Sequence, residues 1–258
     1  MLTVVNHPGA RGPVEREASL AEVYDLDMGQ RVEDLDMVQS LLLSAAGPTD
    51  APTRSVRVAE VGCGRWRLGT WAMSLRDSVP WWHAIDIDSA MLQGKPAGAA
   101  GAWCRPRLGD AADAKTWAGL ERVDLVLIPW STLYLIPHNR QRDVLRHATA
   151  ALRPGGILAV EVFRPNFHRP RGYSTTKPLR DGWVRHSHFN VDPGKQLTRV
   201  KRCYQRDGGD EVLVVRETIH WRQPSEVAVL VGDATGKAPH ISSSAPVPAG
   251  SVLITATV

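Results

Sequence analysis

The sequence predicts an α/β fold: a mostly parallel sheet with helices on both faces, followed by an antiparallel β segment. Three observations predict it. Between residues 55 and 163 short apolar runs alternate with helical patterns, the arrangement that sets parallel strands between crossover helices. The run Val56-Arg57-Val58-Ala59-Glu60-Val61 ends in Gly62-Cys63-Gly64, where glycine permits positive φ and removes the Cβ that would hold a ligand off the backbone. After residue 163 the alternation stops. Three β-patterned stretches, 183–189, 196–205 and 212–221, are joined there by the turn sequences Asp192-Pro193-Gly194 and Asp207-Gly208-Gly209.

The elements follow in order. Residues 1–18, with Pro8, Gly9, Gly12 and Pro13, read as a mobile leader. Leu20, Val23 and Tyr24 begin a helical pattern, and a second runs through Val32, Leu35, Val38, Leu41 and Leu42. Gly47-Pro48 and Pro52 break the chain before the first strand. The glycine turn opens a helix over 68–75. A second strand, 81–88, ends in acids, with Asp86 placed to hold a ribose diol and Asp88-Ser89 suited to a helix cap. A short helix from Ala90 to Gln93 and a strand over 103–108 deliver Asp110 to the sheet's carboxyl edge, where ligands bind in open α/β sheets. The fourth strand, 123–128, stops at Pro129, a helix covers 138–152, and Pro154-Gly155-Gly156 starts the fifth strand, 157–163. Residues 226–231 and 251–257 read as a closing hairpin, with the helix before it shortened or absent. The chain divides into a helical segment 1–54, a core 55–163, an inserted β lid 164–222 and a closing hairpin 223–258.

Composition bounds the function classes. At 258 residues the chain can bury one sizeable core with an added lobe and needs no disulfides. Cys63, Cys104 and Cys203 lie far apart without a C-x-x-C pair, which points to a reducing cytoplasm and against structural zinc. The N-terminus lacks a signal pattern, and no apolar run approaches the ~18 residues of a membrane span, so a soluble, cytoplasmic protein is expected. The net charge of +4 is modest, but residues 164–206 carry eleven Lys and Arg against only Asp181 and Asp192. Such a segment could draw an anionic small molecule or acidic peptide to a site, track a phosphate backbone, or form a solvated face.

Five segments carry a resemblance: Glu60-Val61-Gly62-Cys63-Gly64, Ala84-Ile85-Asp86-Ile87-Asp88, Leu108-Gly109-Asp110-Ala111, Asp124-Leu125-Val126-Leu127-Ile128-Pro129-Trp130 and Leu152-Arg153-Pro154-Gly155-Gly156. In this order and at these intervals the stretch 55–163 resembles the class I S-adenosylmethionine-dependent methyltransferases. The resemblance implies a Rossmann-like, mostly parallel seven-stranded sheet with a closing antiparallel hairpin and an antiparallel β lid inserted after the fifth strand. It implies S-adenosylmethionine as cofactor. Asp86 matches the residue that binds the ribose hydroxyls. Asp110, followed by Ala111, matches the one that binds the adenine amino group. Ile87 and Met91 would pack on the adenosine, Glu60, Gly62, Cys63 and Gly64 would face the methionine part, and Pro129 and Trp130 would border methyl transfer. Val23-Tyr24-Asp25 resembles the leading segment of small-molecule methyltransferases, whose aromatic helps close the site; a core-facing helix position is the alternative for Tyr24. One departure is Trp66, which stands where the family usually has a third glycine.

Methyl transfer from a sulfonium is an in-line displacement that depends on alignment more than on any one side chain. An ammonium or hydroxyl acceptor must lose a proton, and Tyr134 and His188 are the candidates to take it. Their bland alternatives are a packed aromatic and a solvent-facing strand histidine. His186, His188 and His220 lack a third ligand fixed by spacing, so no metal is expected. Trp66 and Trp130 could wall an apolar or cationic acceptor. No Asn-Pro-Pro-aromatic tetrapeptide follows the fourth strand, which argues against a nucleic-acid substrate. The expectation is a methyltransferase acting on an N or O atom of a small molecule or peptide of natural-product type, oligomeric state left open. The alternatives are an NAD(P)-dependent oxidoreductase, which Gly62-x-Gly64 and Asp86 would also suit, and a non-catalytic cofactor-binding protein, for which Trp66 speaks.

Overall fold

The computed structural model describes residues 14–29, 31–47, 56–72, 81–93, 104–120, 122–166, 169–244 and 246–258. The chain opens with strand β1 (Val14–Glu17) and helices α1 (Leu20–Asp27) and α2 (Leu35–Ala46). Ser19 starts α1 with a reciprocal capping box to Glu22, which satisfies two backbone donors of the first turn. Then follow β2 (Arg57–Val61), α3 (Arg67–Ala72), β3 (Trp81–Asp86), α4 (Ser89–Gln93), β4 (Cys104–Leu108), β5 (Val123–Ile128), α5 (His138–Ala151) and β6 (Leu152–Phe163). Four strands, β7 (Gly172–Pro178), β8 (Trp183–Asp192), β9 (Leu197–Arg206) and β10 (Glu211–His220), precede α6 (Pro224–Thr235), β11 (His240–Ser242) and β12 (Ser251–Thr257).

Two sheets result. The main sheet has seven strands in the order β11-β12-β6-β5-β2-β3-β4, parallel from β6 to β4 and antiparallel at β12 and β11. Strand order reverses between β2 and β5, which opens a crevice at their carboxyl ends. The alternation of β5 shows how both faces are covered: Leu125 and Leu127 pack with the apolar side of α2 and with Leu68 of α3, whereas Val126 and Ile128 pack with residues of α5 and α6. The second sheet runs β1-β10-β9-β8-β7, with Val23 of α1 buried against Tyr204, Leu213 and Val215 on one of its faces.

Four expectations are corrected. Residues 14–17 belong to no leader but pair in parallel with β10 as an edge strand; residues 1–13 lie outside the described residues, as do the predicted helix end at Leu75 and strand start at Trp103. Residues 226–231 are helical, not the first strand of the closing hairpin. The Val227, Val229, Val231 alternation imitates a strand, but Pro224 in the first turn, the Gln223–Glu226 capping box and Gly236 in left-handed conformation at the end specify a helix. The hairpin is β11 with β12, and a full helix precedes it. The second sheet also has a strand, β7, that the sequence hides because its residues alternate between exposed and half-buried without a strong apolar face.

Trp66 marks the start of α3. Its φ is +65, the conformation for which the family's glycine is suited, and its indole is 1% exposed, with Nε1 donating to the Leu92 carbonyl at 3.1 Å. Packing therefore holds a strained backbone. Trp66→Ala is expected to cost about 3–5 kcal/mol in urea unfolding. Trp66→Gly should be no less stable than Trp66→Ala, because only glycine adopts this φ freely, reversing the usual order inside a helix by roughly 1 kcal/mol. An alanine variant clearly more stable than the glycine variant contradicts this account.

Candidate active site

The crevice at the carboxyl ends of β2 and β5 is one cavity of about 710 Å³, within the usual range for small-molecule sites. Its floor is the glycine turn. Gly62 has φ +70, and a Cβ there would sit 2.3 Å from Thr132 Cγ2; Gly64 has φ +54, and a Cβ there would sit 2.6 Å from the Tyr24 hydroxyl. No other residue fits either position. Gly64 N–H donates to Asp86 Oδ2 at 2.8 Å, and Asp88 N–H donates to Asp86 Oδ1 at 3.0 Å. Each of these oxygens keeps a lone pair for a ligand. Burial raises the Asp86 carboxyl above its ordinary range, and the backbone donors of Asp88, Gly64 and Ile87 act the other way.

At the same end stand Ile87, 69% exposed, Met91, Asp110 and Ala111. Asp110 accepts from Ala112 N–H at 2.8 Å and pairs with Arg140 of α5 at 2.5 Å, while the same guanidinium reaches Asp113 at 2.6 Å. Arg140 thus ties α5 to the loop after β4 and borders the cavity.

After β5 the chain turns through two consecutive left-handed residues, Trp130 (φ 53) and Ser131 (φ 57). Buried Glu161 at the end of β6 holds them: Oε2 accepts Trp130 N–H at 2.9 Å and its carbonyl accepts Ser131 N–H at 3.1 Å. Burial pushes this carboxyl up as well. The Trp130 indole donates to Asp34 Oδ2 at 2.6 Å, and fully buried Asp34 also pairs with Arg67 through both oxygens. The Arg31 guanidinium lies 3.8 Å over the Trp130 ring.

The opposite wall is α1 and the inner face of the second sheet. Cross-strand register puts Ser187, Arg202 and Val215 side by side, and this face presents Arg185, Arg202, Glu217 and Ile219 to the cavity. Asp27 of α1 pairs with Arg185 and accepts from the Tyr204 hydroxyl at 3.1 Å; Glu217 pairs with Arg202. Burial pushes the Tyr24 hydroxyl up to about 12.

The cavity gathers most of the expected residues: Tyr24, Glu60, Gly62, Gly64, Asp86, Ile87, Met91, Asp110, Ala111, Pro129 and Trp130. It leaves out three. The Cys63 side chain is buried in the core on the α2 and α3 side of the sheet, where burial pushes the thiol up and leaves it inert. Tyr134 is fully buried, donates to the Arg222 carbonyl at 2.7 Å and meets Phe163 edge-on. His188 faces away from the cavity on the second sheet, bonded to the Ser174 hydroxyl. Two expectations about tryptophan also change: the Trp66 indole lies in the core, clear of the cavity, and one face of Trp130 is already taken by Arg31. Arg31, Arg67, Arg140 and Asp27 are cavity residues that sequence reasoning missed, since each meets its partners only through the tertiary fold.

Residues 58–156 match the family profile described as a methyltransferase domain. Solved structures with the same fold span almost the whole chain. The CcbJ methyltransferase from Streptomyces caelestis superposes with a TM-score of 0.74 at 20% identity, covering 92% of this chain and 94% of that one. CalS10, an amino pentose methyltransferase from Micromonospora echinaspora, gives 0.68 at 18% identity over 88% and 92%. The sugar N-methyltransferase KedS8 from Streptoalloteichus gives 0.65 at 14% identity over 98% of both chains. No curated protein matches the sequence. The likeness to these structures lies in the fold, and in this chain the second sheet and α1 complete the cavity. Among the described residues no helix is long and apolar enough to cross a membrane.

Glu60 supplies a test of this environment. It is buried at the cavity floor, accepts from Trp82 Nε1 at 2.8 Å, and desolvation pushes its carboxyl up to about 8. The folded protein therefore holds a proton that the unfolded chain releases above its ordinary carboxylate range. Stability is full below that range and falls as pH rises towards 8. Glu60→Gln should flatten thermal stability between pH 5 and 8, leaving the smaller slope from Asp86 and Glu161, which are raised in the same direction. An unchanged slope in this variant contradicts the assignment.

Proposed function

We propose that the protein transfers a methyl group from S-adenosylmethionine to an amino nitrogen of a small polar acceptor, an amino sugar or another natural-product-type amine. The observation that carries the reading is a single cavity bordered at one end by Asp86, Ile87 and Asp110 and at the other by Tyr24, Trp130 and the inner face of the second sheet. The residues present fit the cofactor: two glycines without room for a Cβ, a half-buried carboxylate with open acceptor positions, and an apolar flank at Ile87 and Met91. Gly62 and Gly64 would border its methionine part, Asp86 its ribose and Asp110 its adenine amino group. Bound there, S-adenosylmethionine supplies an electrophilic methyl on a sulfonium.

The chain's own contribution is alignment and exclusion of water. Trp130, fixed by Asp34 and Glu161, and Tyr24, packed on the glycine turn, border the space between cofactor and acceptor ends. Asp27 and Glu217 are carboxylates at the acceptor end, suited to accept a hydrogen bond from a substrate ammonium and help it shed its proton. Nitrogen is favoured over oxygen on this ground, and because two similar structures are a sugar N-methyltransferase and an amino pentose methyltransferase. A cytoplasmic location fits a soluble enzyme of this kind.

The test is methyl transfer from S-adenosylmethionine to matched pairs of amino and hydroxy sugars, followed by mass spectrometry. The amino member should gain methyl and the hydroxy member should not, and Tyr24→Ala should lower kcat by about a hundredfold through loss of alignment. Equal methylation of the hydroxy member contradicts the nitrogen assignment.

A further inference from the structure

The first turn of α5 breaks a local rule. Cations are disfavoured at a helix N-terminus, where unpaired N–H groups carry the positive end of the dipole. Yet the third residue of α5 is Arg140, the turn holds no acid, and Pro137 before it makes no side-chain cap bond. Conflicts of this kind gather at functional sites. The compensation comes from the loop after β4: Arg140 Nη1 donates to Asp110 Oδ2 at 2.5 Å and Nη2 to Asp113 Oδ1 at 2.6 Å. That loop fixes its own backbone, with Ala112 N–H donating to Asp110 Oδ1 at 2.8 Å and the Thr116 hydroxyl to the Asp110 carbonyl at 2.7 Å. Asp110 Oδ2 is held from outside the loop, by Arg140. Both residues line the cavity, at the end where Asp86 and Asp88 add further negative charge.

We propose that Arg140 is a positioning residue that acts through Asp110 and sets the base selectivity at the nucleoside end of the cavity. The inference rests on the methyl-transfer reading, which puts the adenine amino group at Asp110. A carboxylate pinned between two donors offers lone pairs and no proton, so it accepts from a 6-amino purine and repels the carbonyl of a 6-oxo purine. Without the guanidinium, Asp110 and Asp113 repel each other across the loop. Oδ2 then loses the contact that fixes its direction, and the carboxylate is free to turn away from the cavity.

Calorimetry with S-adenosylhomocysteine and S-inosylhomocysteine tests this on the unsubstituted protein, Arg140→Ala, Arg140→Lys, and Asp110→Asn with and without Arg140→Ala. The unsubstituted protein should prefer the adenosyl compound. Arg140→Ala should weaken that compound by about fivefold, the upper range for a partly exposed ion pair, and leave the inosyl compound unchanged, so that the preference narrows. Arg140→Lys should retain part of the lost affinity. In the Asp110→Asn background Arg140→Ala should cost nothing further, because its effect runs through that carboxylate. An equal loss for both compounds overturns the proposal and leaves Arg140 a merely structural residue. Unchanged affinity of Arg140→Ala for S-adenosylhomocysteine overturns it too, as does a full further loss in the Asp110→Asn background. That background alone decides where the inosyl compound binds too weakly to measure. Failure of the unsubstituted protein to bind S-adenosylhomocysteine at all is a different result: it overturns the methyl-transfer reading, and this proposal with it.

Discussion

The structure depends on the absence of side chains at Gly62 and Gly64. Three separate pieces of chain converge on that turn: Thr132 from the loop after β5, Tyr24 from α1, and Asp86 from the end of β3. A methyl group at either glycine would displace Thr132 or Tyr24, and both positions need positive φ as well. The constraint is therefore steric and conformational at once. It sets the depth of the cavity floor and fixes the closeness of the N-terminal helix to the sheet.

Around that floor the site is stiffened by buried carboxylates rather than by apolar packing alone. Asp34 receives the Trp130 indole and the Arg67 guanidinium, and Glu161 receives the backbone of the left-handed turn at Trp130 and Ser131. Buried polar groups are costly unless satisfied, so the bonds to Asp34 and to Glu161 Oε2 favour this arrangement, while Glu161 Oε1 and Arg67 Nε are left without a hydrogen-bond partner. The wall formed by α1 and the second sheet follows the same logic, with Asp27 and Glu217 each neutralised by an arginine of the second sheet.

Much of this was legible in the sequence because it is carried by local rules. The glycine turn, the acids after β3 and β4, and the alternation of strand and helix each follow from spacing and residue type over a few positions. The misreadings have equally physical causes. In 226–231 valines at alternate positions obeyed strand periodicity, while the capping residues that decided for helix lay just outside the run. β1 and β7 are polar edge strands, defined by hydrogen bonds to β10 and β8 and hardly at all by hydrophobic pattern. Trp66 occupied the third-glycine position and took the glycine's φ, but only the contact with Leu92 decided where its indole would go. Tyr134, near the motif, is core, whereas Asp34 at the start of α2, on which the sequence placed no expectation, holds the cavity's tryptophan.

The central claim is that one cavity holds the cofactor against the glycine turn with its acceptor end beneath the second sheet. A crystal structure with S-adenosylhomocysteine tests it most directly. The account predicts the ribose hydroxyls on Asp86, the adenine between Ile87 and Asp110, and the sulfur directed towards Tyr24 and Trp130. A nucleoside found outside this cavity, or reversed within it so that adenine lies against Tyr24, would contradict it.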